Sequence, residues 1–260
     1  MVIGAYEHAA TINDQFTRQA KSFSAASELH NDAVLALMVD TAKPKHTDRA
    51  IDVACGPGTV VAAFSPFVAC AVGLDATQAM LTEAKALSVT RALANVEWCS
   101  GSVYALPYPA ATFDIVTCRF AFHHLEDPRV AFSEMVRIAS PCARIVLCDA
   151  VASDEKPKAN AFNAMERWRD PSTVEFRTLG FLQSLFTDVG LGSPRIEHFQ
   201  VPYLAHEFVA RSFPARDDRA GLLKLIEGSV KGDQLGMNAR RETDGIHIAF
   251  QSVVLSALKS

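Results

Sequence analysis

The sequence has no run of lysine and arginine and no basic tail. Its 25 basic and 29 acidic residues leave a formal charge of −4. That balance disfavours a polyanion, so no nucleic-acid partner is expected. The opening residues, Met1-Val2-Ile3-Gly4-Ala5-Tyr6-Glu7, lack a basic segment followed by an apolar core, so no signal peptide is expected. No apolar run is long enough to span a bilayer, and the most apolar region, residues 59–74, is broken at Ser65-Pro66. The six cysteines, Cys55, Cys70, Cys99, Cys118, Cys142 and Cys148, form no C-x-x-C pair. Most lie in apolar runs that read as buried strands, so they read as reduced core thiols of a cytoplasmic protein. Internal repeats and low-complexity tracts are also missing.

What is present suits a sizeable core: 49% of the 260 residues are apolar. That length fits one α/β domain with insertions, or one and a half domains. Short apolar runs bounded by turn residues alternate with helical patterns. The strands are expected at 50–54, 69–74, 96–99, 114–119 and 144–149. Helices are expected from Thr59, over 77–87 and over 128–138. Such alternation means a parallel sheet covered on both faces. Residues 13–39 read as a helical cap, with Phe16, Ala20, Phe23, Leu29, Ala33, Leu37 and Met38 on its apolar stripe. Phe16, Gln19 and Phe23 could cover a pocket mouth or simply pack on the domain. After Val151 a cover of helices follows, and strands at 195–201 and 246–258 close the same sheet.

The organising stretch is Arg49 to Gly58, an apolar strand that ends in Gly56-Pro57-Gly58. A dinucleotide fingerprint needs a third glycine at position 61, where this chain has Val61. The pyrophosphate reading therefore fails. Asp75, ending the second strand about 20 residues on, still suits the hydroxyls of a ribose.

Ile51-Asp52-Val53-Ala54-Cys55-Gly56-Pro57-Gly58 resembles motif I of the class I S-adenosylmethionine (SAM)-dependent methyltransferases. Leu74-Asp75-Ala76-Thr77 resembles their second-strand motif. Gly101-Ser102-Val103-Tyr104 with Phe113-Asp114, then His123-His124-Leu125-Glu126-Asp127-Pro128, resemble the segments that follow. The resemblance runs from about residue 48 to 150 and leans toward small-molecule enzymes related to ubiquinone/menaquinone C-methyltransferases. It implies a Rossmann-like, seven-stranded, mostly parallel sheet in three regions. These are an N-terminal helical cap (1–46), a SAM-binding core (47–152), and a substrate cover with the closing strands (153–260). It implies a small-molecule acceptor and leaves room for a homodimer.

Carried over by position, the resemblance places Asp52 at the methionine ammonium and Asp75 at the ribose. Ala54, Gly56 and Gly58 would let backbone approach the amino-acid end. Ala76, Thr77 and Met80 would lie by the adenine, and Ser102 and Val103 at its edge. Arg119 and Phe120 would supply backbone near the sulfonium. Two positions depart from the family pattern. Ala54 replaces a glycine, which is tolerable at negative φ. Ser102 replaces a common aspartate and can still accept a hydrogen bond.

His123 and His124 are the candidate bases, of which at most one acts directly; the other caps or packs a helix. Arg169-Asp170 either orients the acceptor or forms a helix-end ion pair. Trp168, Phe176, Phe181 and Phe186 either line an acceptor pocket or fill the core. A SAM-binding scaffold or cyclase without methyl transfer is the alternative function. Arsenite methylation would need thiolates gathered at the acceptor site, and the C-terminal third has no cysteine.

Overall fold

The computed structural model describes residues 3–25, 32–214 and 216–259, and the first helix's side chains over residues 8–20. Leu29 and the side chain of Phe23, both expected in the cap, lie outside the described residues. Where one helical stretch was expected there are two helices, α1 (Ile3–Ala25) and α2 (Asp32–Ala42). They do different things. In α2, Val34, Leu35 and Met38 are buried in a core layer on one sheet face, whereas α1 lines a cavity with one of its faces.

The chain continues as β1 (Arg49–Val53), α3 (Thr59–Phe64), β2 (Cys70–Asp75), α4 (Gln78–Thr90), β3 (Val96–Ser100), β4 (Phe113–Arg119), α5 (Pro128–Ile138) and β5 (Ala139–Ala150). Then come α6 (Lys156–Arg169), α7 (Leu179–Asp188), β6 (Arg195–Leu204), α8 (Ala205–Ala210), α9 (Arg219–Gly228), β7 (Arg240–Glu242) and β8 (Gly245–Leu258). No described helix is long and apolar enough to cross a membrane.

Strand order is β3-β2-β1-β4-β5-β8-β6, with β7 paired to β8. Strands β1 to β5 pair in parallel, and β8 runs antiparallel to both β5 and β6. Among the described residues the sheet thus has eight strands rather than seven. The extra one, β7, is three exposed residues, Arg-Arg-Glu, with no apolar alternation to betray it. Strand β5 starts at Ala139, ahead of the expected strand at 144–149. Its pairing with β4 jumps from Phe113↔Ala139 to Ile115↔Arg144, so the Ser140-Pro141-Cys142 segment forms an irregularity within the strand.

Successive strand residues point to opposite faces. Ile51, Val53, Val72, Leu74, Val116, Ile145 and Leu147 face a core shared with Phe132 and Met135 of α5 and Leu185 and Phe186 of α7. Ala50, Ala71, Ile115, Val146 and Cys148 face the other, shared with α2 and α3. Burial on both faces explains the near-continuous apolar strands. A third cluster joins α6, α8, α9 and the ends of β6 and β8. The order reverses between β1 and β4, which places the carboxyl ends of these two strands at the crevice where ligands bind open α/β sheets.

Candidate functional site

The turn after β1 is left-handed at three of five residues: Ala54 at φ 58°, Gly56 at φ 51° and Gly58 at φ 84°. The expectation of a negative φ at Ala54 is therefore overturned. An L-residue pays roughly 1–2 kcal/mol for that conformation, and the surrounding hydrogen bonds hold it there. Asp75 Oδ2 accepts the Gly56 N–H at 2.8 Å and Oδ1 accepts the Thr77 N–H at 2.8 Å. The Cys55 N–H donates to Leu74 O at 2.9 Å. Asp75 thus staples the glycine turn to the end of β2, a task no sequence motif announced. Burial raises its carboxyl pKa, against the pull of those N–H donors.

The two glycines are constrained differently. A Cβ on Gly56 would meet nothing within 4 Å, and the residue lines the cavity. A Cβ on Gly58 would lie 2.5 Å from the Trp98 ring, and Gly58 is not among the cavity-lining residues. Its missing side chain makes room for Trp98 instead.

Asp52 lies beside Thr117 because the two are register partners across β1 and β4. The Thr117 hydroxyl donates to Asp52 Oδ1 at 2.7 Å. Burial pushes the Asp52 carboxyl up to about 7, although Thr117 and the nearby Arg119 charge oppose this. Arg119, 8% exposed, donates to Thr59 Oγ1 at 3.2 Å and lies over the Phe120 ring. The acid and the guanidinium are close enough to influence each other, and both are buried.

These groups border one cavity of about 300 Å³. Asp52, Ala54, Gly56, Asp75, Ala76, Thr77, Met80, Ser102, Val103 and Arg119 line one part of it. The rest is walled by His8, Ile12 and Phe16 of α1, and by Phe120, His124 and Leu125 after β4. Ser102 Oγ also accepts the Tyr104 N–H at 3.2 Å, and Tyr104 joins the lining. The cavity residues of α1 stand at positions 8, 9, 12 and 16, one face of a helix. That spacing was readable, but its target was not.

The adjacent histidines separate. His123 lies off the cavity, with Nδ1 2.8 Å from Asp149 Oδ1 and its ring stacked on Phe176 at 4.1 Å. Its carbonyl accepts the Val174 and Glu175 N–H groups. His124 lines the cavity. Its Nδ1 lies 3.1 Å from Ser172 Oγ, and its carbonyl accepts from His8 Nε2 at 2.8 Å. Burial first, then the neighbouring His123, lowers its pKa to about 3, so the ring is neutral.

Arg169 does form a helix-end ion pair, with buried Glu166 rather than with Asp170 (Nη2 to Oε2 2.7 Å). Asp170 turns instead to Ser172 and Gln19. Trp168, Phe176, Phe181 and Phe186 all pack in or against the core clusters, and none lines the cavity. Cys55, Cys118 and Cys148 are buried, and burial raises their thiol pKa values, the reverse of what thiolate chemistry needs.

A family model described as a methyltransferase domain matches residues 51–147. The chain is 31% identical over 246 residues to an uncharacterized methyltransferase, YcgJ, of Bacillus subtilis, covering 94% of this chain and 97% of that protein. The crystal structure of YcgJ superimposes with a TM-score of 0.79 over 88% of this chain and 99% of that one, at 26% identity. A demethylmenaquinone methyltransferase of a Geobacillus strain is 25% identical over 197 residues, 74% of this chain and 76% of that protein. The cyclase SpnF shares the fold, with a TM-score of 0.63 at 17% identity over 88% of this chain and 80% of that one.

Proposed function

The chain belongs to the SAM-dependent methyltransferases, and on that premise we propose that its acceptor is a small molecule with an apolar, aromatic or quinone-like body and a proton that leaves as the methyl arrives. The carrying observation is a single cavity with two unlike parts. One holds two buried carboxylates and a glycine turn; the other holds apolar walls and a neutral histidine.

The residues present fit the cofactor. Asp52 suits its ammonium, and the Arg119 guanidinium its carboxylate. The open space at Gly56 admits ligand against backbone. Asp75 spends its oxygens on two N–H donors, and each retains capacity for a ribose hydroxyl. Met80 and Thr77 offer an adenine surface, and Ser102 and Val103 its edge. When bound, SAM supplies an electrophilic methyl and a neutral thioether leaving group. Ile12, Phe16, Phe120 and Leu125 exclude water and hold the acceptor in line, where positioning supplies much of the rate. His124 takes the departing proton.

Release of S-adenosylhomocysteine from SAM, assayed with hydroxylated aromatic and quinol acceptors, tests this reading. Acceptor-dependent release supports it. Product formed while SAM is not consumed would favour a cyclase or scaffold instead. Asp75→Asn should weaken SAM binding roughly tenfold in calorimetry, since a hydrogen bond to a charged group contributes about 1.5–3 kcal/mol. Unchanged affinity would remove Asp75 from the cofactor site.

A further inference from the structure

We infer that Ser172 and Asp170 are positioning residues that hold His124 in the tautomer with hydrogen on Nδ1, leaving Nε2 bare as the base. The inference rests on the transferase reading above and adds two residues to it. A serine hydroxyl has one hydrogen. That of Ser172 is committed to Asp170, since Oγ donates to Asp170 Oδ1 at 2.5 Å while the Ser172 N–H donates to the same oxygen at 3.0 Å. At the 3.1 Å contact with His124, the Ser172 oxygen therefore accepts. Nδ1 must carry the hydrogen, and in a neutral ring Nε2 then carries none.

Asp170 is 2% exposed and is held from its far side as well. Gln19 Nε2, on α1, donates to its Oδ2 at 3.1 Å. Burial raises the carboxyl, while a charge on His124 first, then the charge of Arg169 and the hydrogen bonds from Ser172 and Gln19, draw it below the ordinary value. The titratable groups facing His124 are His123 at 4.1 Å between rings, His8 of α1, Asp149 of β5 and Asp170. Glu126 lines the same cavity. The edge of Phe16 closes on the ring at 4.9 Å. His124 is thus clamped by α1 on one side and by the loop after α6 on the other.

A buried ring of low pKa is always unprotonated but is a weak base. The carboxylate one hydroxyl away corrects this, because it stabilises the imidazolium as it forms. In the transfer step the acceptor's electron pair forms the new bond to the methyl carbon as the carbon–sulfur pair returns to sulfur. The acceptor's proton passes to Nε2. One positive charge leaves the sulfonium and one appears on His124, so charge is conserved.

The test uses the full chain labelled with 15N-histidine. Ring-nitrogen shifts of the wild type should show His124 neutral with a protonated Nδ1, and Ser172→Ala should mix or reverse the tautomers while circular dichroism is unchanged. With an acceptor in hand, Ser172→Ala should lower kcat roughly 10- to 100-fold, a share of what a positioned base contributes, with SAM affinity within about twofold of wild type. Ser172→Thr, which keeps the hydroxyl, should restore both readouts. A protonated Nε2 in the wild type, or tautomer and kcat both untouched in Ser172→Ala, would overturn the inference. A wild type that consumes no SAM would sink the transferase reading alone, because the ring shifts judge the relay without turnover.

Discussion

Raising the pH from 6 to 8 should tighten the binding of S-adenosylhomocysteine by about tenfold, and Asp52 is the reason. Its carboxyl is buried and pushed from an ordinary 3.8 up to about 7. With that value, roughly one-tenth of the protein carries an ionised Asp52 at pH 6 and roughly nine-tenths at pH 8. The ligand's ammonium favours the ionised form, so apparent affinity follows that fraction. The ratio is about ten, or about 1.4 kcal/mol. In the ligand-free protein the sign is opposite. A raised carboxyl stabilises the fold fully below its unfolded value, and the contribution is lost as pH rises through 7. Ligand binding should therefore release a proton near neutral pH. Titration calorimetry in two buffers of different ionisation enthalpy measures both the affinity and the proton count. Asp52→Asn should bind more weakly and without the pH slope. A flat wild-type affinity across this range, or a slope that survives in Asp52→Asn, would refute the assignment of Asp52 to the ammonium.

The two glycines of the turn should fail in different ways. Gly58→Ala drives a methyl to 2.5 Å from Trp98 at a left-handed φ, so it should destabilise the fold by about 3 kcal/mol, read as a loss of roughly 6–12 °C in Tm. Gly56→Ala should cost only about 1 kcal/mol of stability yet abolish measurable cofactor binding, because its methyl enters the cavity; equal losses in both variants would contradict this division. Ala54→Gly should raise Tm by about 1–3 °C, the relief of left-handed strain exceeding the added freedom of the unfolded chain, and a lower Tm would show that Ala54 is not strained.

The parts of this protein that were legible from sequence are those set by near neighbours in the chain. The strands of the parallel sheet read as short apolar runs because both faces are buried, and the two acids Asp52 and Asp75 stand at strand ends where such a sheet binds ligands. What escaped is set by contacts across the fold. Ala54 looked harmless because its φ is imposed by a turn that Asp75, 21 residues later, ties down. Gly58 looked like a ligand contact, yet its constraint is an indole 40 residues away. The histidine pair could not be divided by inspection, since adjacent residues share every local signal. Asp149 claims one ring and Ser172 the other, and both partners come from segments that follow later crossovers. The cap was the hardest region to read. Its second helix is ordinary core, while its first brings His8 and Phe16 onto His124 and Gln19 onto Asp170. His8, Gln15 and Gln19 of this helix find partners more than 100 positions away, and such contacts leave no trace in its own periodicity beyond an apolar stripe. This wall of the cavity is therefore a product of tertiary docking, and if His124 is the base proposed above, a substitution in α1 at Gln19 should reach it through Asp170 and Ser172.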